Sequence, residues 1–74
     1  MMTHMDNQLA ADLQRNNVFI EAFINQDQDY FTIVVRHPCL PRERVTGPAR
    51  DYQVAYLGAA QNAIYTLQVL GMYI

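Results

Sequence analysis

Arg36, Arg42, Arg44 and Arg50 fall within fifteen residues of this 74-residue chain, in the stretch RHPCLPRERVTGPAR. Guanidinium groups present rigid forks of donors that match carboxylates and phosphates. Gathered on one surface, these four would hold a phosphate, a nucleic-acid backbone or an acidic patch on a partner. Gly47 and Pro48 precede an expected helix start, whose backbone donors would add to an anion site. The bland reading is a solvated loop partly paired with Glu43, Asp51 and Glu21, because surface charge usually serves solubility. No aromatic residue is interleaved with these arginines, so stacking of single-stranded bases is not indicated.

His37 and Cys39 suggest a Cys–His nucleophile, a chemistry that needs the base within hydrogen-bond reach of the thiol and a third group to orient it. Alternate positions separate the two side chains, Pro38 fixes the backbone between them, and no orienting residue is recognisable. A packed cysteine beside a histidine at a strand edge is the expectation. Asp27 and Asp29 alternate with Gln26 and Gln28. A Ca²⁺ site wants about six to eight oxygens and a glycine turn, so turn chemistry is the better reading. The absent residue types exclude more. There is no serine and no lysine, which rules out a serine nucleophile, a Schiff base and a Walker-type phosphate loop. No catalytic set, cofactor or metal site is expected.

These residues must be positioned by one small domain, residues 1–74. A core of this size stabilises a fold by only about 3–5 kcal/mol, and a second chain often supplements it. The single cysteine forbids an internal disulfide. Residues 3–16 read as a short helix with Met5, Leu9 and Leu13 on one stripe, a weak Thr3–Asp6 cap and an Asn16–Asn17 end. VFIEAFIN and YFTIVVRH read as the strands of an antiparallel hairpin joined by QDQD. Pairing Asn25 with Tyr30 puts Val18, Ile20, Ala22 and Ile24 on one face with Phe31, Ile33, Val35 and His37. The other face then carries Phe19, Glu21, Phe23, Thr32, Val34 and Arg36, with Glu21 and Arg36 as diagonal neighbours. Two strands are not a stable sheet, so the hairpin must lie on helices or pair with the hairpin of a second chain.

HPCLPRERVTGP reads as an irregular connector, since three prolines remove backbone donors and restrict their neighbours. A long helix follows from about Pro48 to Leu70, stopped by Gly71. Residues 52–74 contain no charged side chain. The stripe Tyr52, Tyr56, Ala59, Ala63, Leu67, Leu70, Ile74 is enough to pack on the hairpin, yet further apolar residues lie off it. A membrane span is disfavoured by the glutamines and the lack of a positive flank. The preferred account gives the helix a second, intermolecular face in a homodimer. Its interface is expected at Ala55, Ala59, Ala63, Leu67 and Leu70, with Met72, Tyr73 and Ile74 as a further anchor for a partner.

The fold expectation is thus α+β: short helix, hairpin, Pro/Arg-rich connector, long helix. Net charge is −2, with residues 1–35 summing to −4, residues 36–50 to +3 and Asp51 to −1. The N-terminal residues show no signal-peptide pattern, and a lone cysteine suits the cytoplasm. Small acidic domains without a catalytic set are common among phage and mobile-element accessory proteins, including inhibitors of bacterial defence systems. By that analogy of style, the functional expectation is a homodimer that binds and inhibits a larger protein or nucleoprotein. The competing expectation is a binder of a nucleotide or nucleic-acid backbone through the arginines.

Overall fold

A computed structural model of the chain describes residues 4–25 and 27–74. Helix α1 spans His4–Arg15, strands β1, β2 and β3 span Phe19–Asn25, Tyr30–His37 and Leu40–Pro48, and helix α2 spans Tyr52–Val69. A single 3-10 turn, Ala49–Asp51, leads into α2. The architecture is α+β, and the hairpin register is the one that the apolar pattern dictates: Ile24 opposite Phe31, Ala22 opposite Ile33, Ile20 opposite Val35. The Thr3–Asp6 cap lies outside the described residues.

The main departure from expectation is β3. The stretch read as an irregular connector is a strand, antiparallel to β2, and it completes a three-stranded sheet of order β1-β2-β3. Its prolines are tolerated because β3 is an edge strand, where a missing donor can face away from the ladder. Pairing runs regularly from Tyr30–Pro48 to Val35–Glu43 and then shifts, so that His37 faces Leu40. The shift sets Pro41 and Arg42 together against Arg36, a bulge that accommodates a proline near the end of the sheet. Pro38 and Cys39 form the two-residue turn. The Cys39 N–H donates to His37 Nδ1 at 3.0 Å, and Cys39 is exposed rather than packed. The hairpin thus gains its third strand from the same chain.

Both helices end in the same way. Asn17 adopts φ 59°, and the Val18 N–H donates to the Leu13 carbonyl at 2.9 Å while the Asn17 N–H donates to Gln14 at 3.2 Å. Gly71 adopts φ +72°, with the Met72 N–H on Leu67 at 2.8 Å and the Gly71 N–H on Gln68 at 3.1 Å. Each is a Schellman stop, in which a left-handed residue turns the chain and satisfies the last carbonyls. Leu13 and Val18, which flank the first stop, are both buried in the core.

The core lies between one face of the sheet and the helices. Phe31, Ile33 and Val35 on β2 meet Ala59, Ala60, Ala63, Ile64 and Leu67 on α2, with Leu13 from α1. Ile33, Ala60 and Leu67 have no exposed surface. The Phe31 ring stands edge-on to Tyr52, centroids 6.3 Å apart. At Gly47, opposite Phe31, an added Cβ would meet the ring at 2.8 Å, so glycine lets the two strands pack without displacing it. The Cα trace measures 40 × 29 × 15 Å, the thin third dimension of a two-layer structure. No helix is long and apolar enough to cross a membrane among the described residues.

Candidate functional site

Strand alternation sends every second side chain to the face of the sheet opposite the helices. Reading across the three strands, that face is a lattice of short rows. Phe19 pairs with Arg36, beside which stands the bulge residue Arg42; Glu21, Val34 and Arg44 form the next row; Phe23, Thr32 and Thr46 the third; Asn25, Tyr30 and Pro48 the last. Phe19 is 72% exposed and Phe23 57%. Thr32, in contrast, is almost covered by its neighbours although it lies on the open side. One groove on this face is lined by Phe23, Tyr30, Val34, Arg36, Arg42 and Arg44. A second runs past Asn17, Phe19, Arg36, Pro38, Leu40 and Arg42. Arg36 and Arg42 border both, so the two depressions adjoin.

The electrostatics of the face follow from its pairing. Arg36 Nη2 lies 2.6 Å from Glu21 Oε1, the diagonal pair that the register requires. The contact is an ion pair without hydrogen-bond alignment, and that oxygen has no hydrogen-bond partner among the described residues. Both side chains are about half exposed, so the pair contributes at most about 1 kcal/mol. Arg42 and Arg44 are exposed and carry no ion pair among the described residues. Arg50 stands apart in the 3-10 turn, 4.0 Å from Asp51. Three of the four arginines are therefore brought together. The fourth is not.

The expected oligomer residues are placed differently. Ala59, Ala63 and Leu67 lie inside the chain's own core, at 6%, 4% and 0% exposure, so those side chains are not available to a second chain. Ala55 is half-buried against the same core, and Leu70 is exposed. The reason is size: alanines on α2 let the helix approach the large β2 side chains Phe31, Ile33 and Val35. The outward stripe of α2 carries Val54, Tyr65 and Val69 instead.

The C-terminal anchor residues are partly engaged at home. Arg15 hydrogen-bonds Asp12, donates from Nε to the Ile74 main-chain oxygen at 2.8 Å and reaches the Tyr73 hydroxyl at 3.0 Å. That hydroxyl donates to Asp12 Oδ1 at 3.1 Å, and the guanidinium lies 5.7 Å from the Tyr73 ring centroid. The Ile74 N–H donates to Asn16 Oδ1 at 2.7 Å, while Asn16 Nδ2 donates to the Asp12 carbonyl at 2.8 Å. The hydrogen bond to Asp12, opposed in part by desolvation, holds Arg15 more firmly protonated than usual. These contacts staple residues 73–74 to α1. The Met72 and Ile74 side chains stay exposed.

Phe19, Phe23 and Tyr30 are the site residues that the arginine stretch alone does not disclose. The hairpin register already puts both phenylalanines and Arg36 on one side. What it lacks is β3, which carries Arg42 and Arg44 to the same surface. Among the described residues, no group of three or more His, Cys, Asp or Glu could hold a metal ion. No protein-family model, no curated protein and no solved structure matches this chain.

Proposed function

We propose that this chain is a non-catalytic binding protein that engages a larger macromolecule with the open face of its sheet, and modulates that partner by occupying it. The observation that carries the reading is the exposure of Phe19 and Phe23, 72% and 57%, on a sheet face that neither helix covers. Single exposed apolar residues are ordinary, but two phenylalanines on one flat face, bordered by arginines, are the composition of a binding surface. Inhibition of a host macromolecule, in the manner of phage and mobile-element accessory proteins, is the specific form of this reading. The exposed lone thiol of Cys39 supports a reducing, cytoplasmic setting.

The test compares immobilised wild-type chain with the Phe19→Ser/Phe23→Ser variant for retention of macromolecules from a cell lysate. Retention lost at an unchanged melting temperature supports the open face. Equal retention by both chains overturns it.

A homodimer is the second reading, favoured by Val54, Tyr65 and Val69 at 77%, 63% and 66% exposure on one outward stripe of α2. Light scattering after size exclusion should then give twice the chain mass for wild type and the single mass for Val54→Gln/Tyr65→Gln. A monomeric wild type removes this reading.

A further inference from the structure

The occupant of the open face follows from how its two chemistries are laid out, granted the reading that this face binds at all. The rings and the guanidiniums form separate tracks. Phe19 and Phe23 stand on β1, four residues apart and hence about 13 Å along the strand. Arg36, Arg42 and Arg44 stand on β2 and β3, one or two strands across the sheet. With three arginines against Glu21, the face sums to +2 in a chain of net charge −2, so the remainder sums to −4. An anionic ligand is therefore directed to this surface and repelled elsewhere.

A ligand with flat apolar groups along one side and regularly spaced anions along the other matches two such tracks. The geometry points to a single-stranded nucleic acid: bases stack on Phe19 and Phe23 while Arg36, Arg42 and Arg44 hold its phosphates. Stacking on protruding rings tolerates any base, because every base has a π face. Arginine suits the phosphate track as a planar fork. A duplex offers no free base faces, and α2, the long helix, carries no charged side chain with which to enter a groove. An acidic peptide satisfies the arginines, but it brings no regular row of flat groups to the two exposed rings, Phe19 and Phe23.

The experiment is fluorescence anisotropy of a labelled mixed-sequence oligonucleotide of about twelve nucleotides, within the usual range of single-strand site sizes, as DNA and as RNA. The full chain is titrated at stepped salt. The expected result is saturable binding to the single strand and weaker binding to the matching duplex. Three phosphate contacts give a log–log salt slope of about −2. Phe19→Ala and Phe23→Ala each weaken binding about 5- to 150-fold, and Arg44→Ala flattens the slope by about 0.7. All these side chains are exposed, so melting temperature serves as the folding control.

No binding at about 10⁻⁴ M, the weak end of non-specific affinity, overturns the assignment. So does equal affinity for the duplex, or displacement by polyglutamate as readily as by unlabelled strand, which would make the partner an acidic protein. A dimer that Phe19→Ala/Phe23→Ala converts to monomer overturns it in favour of a second copy on this face. Oligonucleotide failure with Phe-dependent retention from lysate sinks the nucleic-acid assignment and leaves the open-face reading standing. If the phenylalanine variants change neither measurement, both fall.

Discussion

At single positions, backbone conformation and close approach make the sharpest demands. Gly47 lies on the packed face of an edge strand, where an added Cβ would stand 2.8 Å from Phe31 Cε2. That ring is buried and held edge-on to Tyr52, so it has little room to give. Gly47→Ala should lower unfolding free energy by about 1–3 kcal/mol, the usual cost of overpacking, measured by urea titration. Asn17, at φ 59°, closes α1. Asn17→Ala should destabilise by about 1 kcal/mol because a Cβ without a local polar partner disfavours this region, whereas Asn17→Gly should be close to neutral in the same assay. The ion pairs carry no comparable demand. Arg15 is raised above its ordinary pKa by the hydrogen bond to Asp12, so its contribution is fully present below the unfolded value and is lost only as pH rises past the folded one. Thermal melts from neutral to mildly alkaline pH should show no step from this residue. The helix stops were legible in the sequence, because Asn17 and Gly71 are among the few residue types that adopt the left-handed region easily. The Phe31–Gly47 contact was not: it depends on a strand pairing that the sequence pattern hides.

At the level of elements, alternation made β1 and β2 readable down to register. A one-residue slip would expose Ile33 and bury Arg36, so only one pairing keeps the faces apart. The segment that became β3 carries the opposite signals. Pro41, Pro48 and Gly47 each argue against a strand interior, and LPRERVTGP lacks a clean apolar alternation. It pairs nonetheless because β2 presents a free edge, and because an edge strand can place its prolines where no donor is needed. Arg42 and Arg44 gain their place on the open face from that pairing, which is why the arginines looked like a loop and form part of a surface. On α2 the difficulty was the reverse. An apolar surplus on several sides marks burial but does not say which stripe faces inward. Ala59, Ala63 and Leu67 turn out to be core. Leu67→Ala, at a position with no exposed surface, should cost about 2–5 kcal/mol. Circular dichroism in urea is the check: loss well under that range would mean the helix does not pack as described.

For the molecule as a whole, the consequential fact is asymmetry: two helices cover one face of a three-stranded sheet, and the other face is left with two exposed phenylalanines and three arginines. Those side chains are ones that the core does not use. Substitutions on the open face should therefore leave folding largely unchanged. The central position of β2 has its own consequence. Its backbone is paired on both sides, to β1 and to β3, while among the described residues each outer strand has one row of peptide groups facing no neighbouring strand. In amide hydrogen exchange, the outward-facing amides of β1 and β3 should lose protection through small openings. Those of Phe31–Val35 should exchange only when the domain unfolds globally. The slowest exchanging amides of β2 then report the global unfolding free energy without any denaturant, and a ligand on the open face should slow them by the factor that its own concentration and affinity dictate.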